Sequence, residues 1–163
     1  MSSNREIIRL AVPNIISNIS VPLISSVDTA LMGHLSITHL AAVGIGRMVF
    51  NFLYWNFGFL RMGTTGMTAQ DFGRNDTEAI SRNLYHAILL SLTLGSLILL
   101  LKGPFAGLSA YLMQIDPSQF DLFYAYFDIR IWAAPVTLSL IACMGWLFGM
   151  QNAMYPLFIT LVV

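Results

Sequence analysis

The chain has 163 residues, of which 56% are hydrophobic and 10% are charged, and its eight basic and eight acidic side chains cancel. This composition lies outside the usage of soluble globular domains and predicts that lipid surrounds most of the chain. A net charge of zero provides no basic footprint for nucleic acid, so we expect a lipid bilayer as the surroundings and no nucleic acid as a partner.

Long uncharged stretches predict transmembrane helices, because about 20 mostly apolar residues are needed to cross about 30 Å of hydrocarbon. In chain order the complete predicted spans are 7–32, 41–68, 83–101 and 118–150, and an incomplete span covers 156–163. Between them, AQDFGRNDTEAISR is predicted to be a solvated loop and KGPFAGLSAYLMQIDP an interfacial connection. The expected fold class is an all-α, polytopic membrane bundle with four complete helices and the start of a fifth.

The first predicted span contains one acidic residue after its opening turn, Asp28. A carboxylate within a membrane is costly, so such residues face cavities or partners, and one that gains and loses a proton can couple transport to cation movement. Helical spacing places Asn14, Asn18 and Ser25 on the same face, where we expect them to line the approach to Asp28. The alternative is that Asp28 lies at the outer end of its helix, where it is solvated or caps the GHLS turn.

Two prolines interrupt the same span, Pro13 and Pro22. Each removes an intrahelical hydrogen bond, so the sequence predicts a bend in this helix. The bend is either static or changes when Asp28 is protonated.

The second and fourth spans contain arginines that are candidates for structural or gating roles. Arg61 lies in GFLRMGTTGMTAQ beside Gly63 and Gly66, which allow close helix approach next to a charge, although small residues at helix contacts are also ordinary packing. Arg130 is expected to pair with an acidic group at the outer end of the bundle, as an anchor rather than a ligand contact.

The distribution of basic residues predicts the orientation of the chain in the membrane. Arg5 and Arg9 lie at the start of the first span, Arg74 and Arg82 lie between the second and third, and Lys102 lies on the opposite side. Since basic residues accumulate in cytoplasmic connections, the N-terminus is expected to be cytoplasmic.

Three segments resemble the multidrug and toxic compound extrusion (MATE) family: SVDTALMGHL, FGFLRMGTTGMTAQDFG and YFDIRIWAAP. The second is most similar to the DNA-damage-inducible protein F (DinF)-like branch. The resemblance implies a twelve-helix exporter with two six-helix lobes, of which this chain supplies part of the N-terminal lobe. It also implies that the matching first-helix aspartate, Asp28, is a cation-coupling residue.

The chain departs from the family pattern after the fourth span. The family commonly has a glycine-rich turn with an Asp-Thr-Arg element before a proline, whereas this chain has FGMQNAMYP. The charges that the family uses for gating or anchoring in that loop are missing. Because the sequence stops within a predicted span, we expect it to be part of a longer protein whose C-terminal half completes the transporter.

The sequence therefore predicts a secondary active antiporter of the inner membrane that exports cationic or amphipathic compounds in exchange for protons or sodium ions. The coupling ion takes the place of a cofactor, and no metal site or set of catalytic groups is expected, so the chain is not predicted to be an enzyme. Two alternatives are a flippase for lipid-linked intermediates and a truncated, non-transporting membrane module.

Overall fold

The computed structural model describes residues 37–152 and 154–162, together with the single positions 15, 19, 26, 27 and 30. From residue 37 onward the described chain forms seven α-helices and one short 3-10 helix. They are α1 (Ile37–Asn56), α2 (Gly58–Gly73), α3 (Thr77–Leu100), α4 (Lys102–Leu112), the 3-10 helix Pro117–Gln119, α5 (Phe120–Ile131), α6 (Ala134–Gly149) and α7 (Met154–Val162).

The segment predicted as the second span, 41–68, is longer than expected and is divided into α1 and α2 at Phe57. Immediately before the break, the Asn56 side-chain amide donates to the Phe52 carbonyl at 2.6 Å. Such a bond competes with the backbone ladder and bends helices. The Phe57 amide then donates to the Tyr54 carbonyl, three residues back, at 3.0 Å. Local hydrogen bonding therefore interrupts what the hydrophobic pattern predicted as one helix.

The predicted solvated loop AQDFGRNDTEAISR is mostly helical, which corrects the sequence expectation. Helix α2 continues to Gly73 and α3 begins at Thr77, so only a short turn separates them. Asn75 adopts a left-handed conformation in this turn, with φ of 57°. Asp76 caps α3 by accepting a hydrogen bond from the Ala79 amide at 2.9 Å. The polar residues thus form two helix ends and a tight turn.

The predicted interfacial connection KGPFAGLSAYLMQIDP is also largely helical, since α4 covers Lys102–Leu112. Pro104 does not prevent this, because it lies in the first helical turn, where its missing N–H would have no intrahelical partner. The Phe105 amide makes the first regular bond, to the Leu101 carbonyl, at 3.1 Å.

The predicted fourth span, 118–150, is broken into α5 and α6, and these two helices are bent by 52° at the break. The physical reason is Pro135, which occupies the first turn of α6 and provides no N–H for the carbonyl of Ile131. One buried stripe nevertheless continues through the bend at spacings of three and four residues. It consists of Phe123, Phe127, Ile131, Ala134, Leu138, Ala142, Gly145 and Gly149.

Helix α6 is the centre of the packing on one side of the bundle, where it lies against α2 and α3. On the other side α5 packs against α1 and α4. Glycines permit the closest approaches. A Cβ at Gly95 of α3 would lie 2.4 Å from the Cα of Pro135, and one at Gly46 of α1 would lie 2.5 Å from the Tyr126 ring. The bend in α5–α6 is therefore held by close contacts with both neighbouring helices.

Helix α3 is the one described helix that is by itself long and apolar enough to cross a membrane. Its 24 residues extend about 36 Å. The bent pair α5–α6 adds a second candidate if it is taken as a single span. The first predicted span, 7–32, lies outside the described residues apart from positions 15, 19, 26, 27 and 30. Helix α7 begins at Met154, two residues before the predicted start of the incomplete fifth span.

Candidate functional site

The predicted coupling site of the first span cannot be placed in the fold. Its members all lie outside the described residues: Asp28, Asn14, Asn18, Ser25, Pro13 and Pro22. Their roles remain predictions from the sequence.

Arg61 lies in the first half of α2 with an exposed side chain whose guanidinium carbon is 4.8 Å from the centroid of the Phe148 ring. This is a cation–π contact between α2 and α6. The backbone of Arg61 lies close to α6, because a Cβ at Gly145 would lie 2.6 Å from the Arg61 carbonyl oxygen. A Cβ at Gly63 or Gly66 would meet no described heavy atom within 4 Å.

The glycines that bring α2 and α6 together within the described bundle are therefore Gly145 and Gly149 of α6, which the sequence analysis did not single out. A Cβ at Gly149 would lie 2.6 Å from the Cβ of Thr68. The signal was present in the segment GWLFG, where two glycines four residues apart form the small-residue pattern of close membrane-helix contacts.

Arg130, the other sequence candidate, lies in the last turn of α5 among aromatic rings. Its guanidinium carbon is 5.6 Å from the centroid of the Phe50 ring and 5.8 Å from that of Tyr126. Tyr126 and Arg130 are four residues apart and share a helical face. The Tyr126 ring fits against α1 because residue 46 is glycine. The sequence thus provides both the stacking partner and the space that it occupies.

Two phenol groups lie beside this arginine. The hydroxyl oxygens of Tyr54 and Tyr126 are buried, and neither has a hydrogen-bond partner among the residues that the structure describes. Thr137 of α6 approaches the Tyr54 hydroxyl without meeting hydrogen-bond geometry. We call Phe50, Tyr54, Tyr126 and Arg130 the arginine cluster. It combines a permanent cation with two buried hydroxyls that have no hydrogen-bond partner in the described part of the chain.

The acidic residue nearest to Arg130 in sequence is engaged elsewhere. Asp128 accepts a hydrogen bond from Lys102 at 2.6 Å, joining α5 to the start of α4. Lys102 also lies 5.9 Å from the Trp132 ring. Within the described ranges no carboxylate approaches the Arg130 guanidinium to within 4 Å. The acidic partner that the sequence analysis expected for Arg130 is therefore not found in this part of the chain.

An apolar groove of about 480 Å³ lies between α1, α4 and α5. Its walls include Phe52 of α1, Phe57 at the break between α1 and α2, Phe105 and Leu108 of α4, and Phe127 of α5. A groove with this lining suits an alkyl or aromatic group and offers little to a charged one.

A polar network joins the helices at the end that is predicted to be cytoplasmic. The Asn83 amide donates to Asp71 at 2.7 Å, and Arg74 lies 3.9 Å from the same carboxylate. The Trp146 indole N–H donates to the Ile80 carbonyl at 2.9 Å. These bonds tie α2, α3 and α6 together. In the described part of the chain no three His, Cys, Asp or Glu residues gather in a way that could hold a metal ion.

Comparison with known proteins decides the family. The sequence profile of the MatE family matches residues 13–163, which is nearly the whole chain. The chain belongs to the MatE family. This confirms the MATE resemblance.

Three relatives show where this MatE chain lies within the family. It is 38% identical to DNA damage-inducible protein F of Escherichia coli (strain K12) over 162 residues, covering 99% of this chain and 35% of the relative. It is 28% identical to Protein DETOXIFICATION 47, chloroplastic, of Arabidopsis thaliana, covering 94% of this chain and 28% of the relative. It is 27% identical to Probable multidrug resistance protein NorM of Shewanella oneidensis, covering 80% of this chain and 28% of the relative. The chain is thus DinF-like and spans about a third of the length of these relatives.

No solved structure matches the chain. Members of the MatE family are transporters and not enzymes, so the expectation of a non-enzymatic chain is confirmed at the level of the family.

Proposed function

We propose that the natural protein is a secondary active exporter of cationic or amphipathic compounds, driven by inward movement of protons or sodium ions. The observation that carries this proposal is the MatE match over residues 13–163. The similarity to Probable multidrug resistance protein NorM supports the class of substrate. The two lobes of a twelve-helix transporter require a C-terminal half beyond the residues described here, and the proposal includes that half.

In this proposal Asp28 carries the coupling cation, while Asn14, Asn18 and Ser25 line its approach. The support is the position of a single carboxylate within a predicted span, together with the family motif SVDTALMGHL around it. Protonation makes this group neutral, and ionisation lets it attract a cation. One residue can therefore link ion entry to substrate exit.

The test is the Asp28→Asn variant of the whole natural protein in inside-out membrane vesicles. Accumulation of a fluorescent organic cation in the vesicle lumen is measured with a pH gradient alone and with a sodium gradient alone, each with the higher proton or sodium concentration in the lumen. We expect Asp28→Asn to lose gradient-driven transport while it still elutes as a folded species in size-exclusion chromatography. The gradient that drives the unsubstituted protein identifies the coupling ion.

Asp121→Asn is the matched control, because Asp121 is an exposed carboxylate in the first turn of α5. It should transport normally. Full activity of Asp28→Asn would remove Asp28 from the coupling mechanism. Loss of folding in that variant would instead support an interhelical structural role.

The apolar groove between α1, α4 and α5 favours a second candidate, a flippase for lipid-linked intermediates. Its volume of about 480 Å³ and its apolar walls suit an alkyl chain. Organic cations should compete with transport of the labelled substrate if the protein is a drug exporter, and should not compete if it moves lipid-linked intermediates.

A further inference from the structure

The arginine cluster presents donors without enough acceptors. The Arg130 guanidinium has five N–H donors and remains protonated at any physiological pH. Beside it, the hydroxyls of Tyr54 and Tyr126 are buried and make no hydrogen bond among the described residues. A group that satisfies all three side chains must accept several hydrogen bonds and carry negative charge.

The position of Arg130 makes its charge significant. It lies near the middle of the bent pair α5–α6, which has the length and composition of one membrane span. Its side chain is exposed in the described bundle, so a ligand can reach the guanidinium. The neighbouring Asp128 is bound to Lys102 at 2.6 Å and leaves Arg130 to the aromatic rings.

The aromatic surroundings suit the rest of an amphipathic ligand. Phe50 is 1% exposed and provides a ring face beside the guanidinium. Cation–π contacts with the Phe50 and Tyr126 rings, at 5.6 and 5.8 Å, hold the guanidinium beside these aromatic side chains. An arginine held in this way recognises planar or multi-oxygen acids with two parallel hydrogen bonds.

We infer that the arginine cluster is a binding site for the acidic group of an amphipathic compound: a carboxylate, sulfonate, sulfate or phosphate attached to an apolar body. The inference rests on the proposed export function and refines it, because it adds acidic amphiphiles to the compounds that the transporter binds. Arg130 contacts the acid, Tyr54 and Tyr126 donate to its remaining oxygens, and Phe50 lies beside the guanidinium.

The experiment is a pair of binding titrations on the whole natural protein in phosphatidylcholine nanodiscs. One probe is 11-(dansylamino)undecanoic acid, and the other has the same dansyl group and alkyl chain but ends in a trimethylammonium group. We expect Arg130→Gln to weaken binding of the acidic probe by about 10- to 100-fold, the range for a charged hydrogen-bonding group. Binding of the ammonium probe should change less than about twofold, within the variation of surface substitutions.

The tyrosines provide a second measurement that does not depend on the folding of the arginine variant. Tyr54→Phe and Tyr126→Phe each remove one hydroxyl and keep the ring. Each should weaken binding of the acidic probe by about 3- to 10-fold. Tyr124→Phe is the matched control on α5, because Tyr124 is 42% exposed and lies outside the cluster. It should leave both probes unaffected.

The inference would be overturned if Arg130→Gln weakened binding of both probes equally, or did not weaken binding of the acidic probe. Arg130 would then have a structural role or would pair with a carboxylate elsewhere in the protein. Displacement of the acidic probe by added phosphatidylglycerol supports the site and identifies a lipid phosphate as the source of the acid. Export of both probes is measured separately, as uptake into inside-out vesicles. Selective binding without any export contradicts the proposed export function and supports the binding site. Export without selective binding supports the export function and contradicts the binding site.

Discussion

Gly145 is a residue at which α6 lies close to the backbone of α2. A Cβ there would lie 2.6 Å from the carbonyl oxygen of Arg61, a contact that backbone atoms can relieve only by moving. We expect Gly145→Ala to lower the free energy of unfolding by about 1–2 kcal/mol, because the clash outweighs the higher helix propensity of alanine. The measurement is the thermal unfolding midpoint of the detergent-solubilised protein.

Gly63→Ala is the control for this prediction, since a Cβ at Gly63 would meet no described atom within 4 Å. It should leave the midpoint unchanged or raise it, because the higher helix propensity of alanine can add up to about 1 kcal/mol to the free energy of unfolding. If both substitutions lower the midpoint equally, the approach of α2 and α6 does not distinguish the two glycines. The sequence made Gly63 the more prominent candidate because it lies near Arg61. Which glycine contacts another helix depends on how the helices pack, and the local sequence does not determine that.

At the scale of the elements, the connection between α4 and α5 contains a titratable cap. Asp116 accepts a hydrogen bond from the Ser118 amide at 2.9 Å at the start of the 3-10 helix Pro117–Gln119. Hydrogen bonds from the Ser118 side chain and backbone lower the pKa of Asp116 below its ordinary value. Because the pKa of Asp116 is lowered in the folded state, its carboxylate stabilises this cap fully above the ordinary pKa. The stabilisation is lost as the pH falls through the lowered pKa.

We therefore expect hydrogen-exchange protection of the Ser118 amide, corrected for intrinsic exchange, to fall in that acidic range. Asp116→Asn should remove this pH dependence, because the asparagine oxygen accepts a hydrogen bond at every pH. Asp121→Asn should keep the dependence, since Asp121 does not cap this turn. A pH dependence that survives in Asp116→Asn would assign the titration to another group.

The errors in predicting the elements have identifiable causes. Charges and glycines around Asp76 indicated a loop, but that carboxylate caps α3 and leaves only a turn. Pro104 indicated a connection, yet it lies in the first turn of α4, where proline is compatible with a helix. Pro135 was visible in the fourth span, but neither the size of the bend, 52°, nor the close packing of Pro135 against Gly95 of α3 follows from hydropathy. Hydropathy identifies helical stretches and does not determine where a long helix breaks.

At the scale of the whole molecule, the membrane class and the family were predictable because they depend on composition and on motifs that are continuous in sequence. The arginine cluster was not predictable as a site, since it joins Phe50 and Tyr54 of α1 to Tyr126 and Arg130 of α5. Arg130 was recognised as unusual, but its partners on α1, Phe50 and Tyr54, are separated from it by three α-helices in the chain. Only the packing of α1 against α5 brings them together.

The orientation of the molecule is predicted from the basic residues at its helix ends. Arg74 and Arg82 flank the turn between α2 and α3, which predicts that this turn is cytoplasmic and that the turn after α4 lies outside. In a Cys143→Ser background, Thr77→Cys introduces an exposed thiol at the first turn and Ser118→Cys one at the second. A membrane-impermeant maleimide applied to intact cells should label Ser118→Cys alone, and inside-out vesicles should show labelling of Thr77→Cys alone. The reverse pattern would place the N-terminus outside and Arg74 in an external turn, and it would show that the basic residues of this chain do not set its topology.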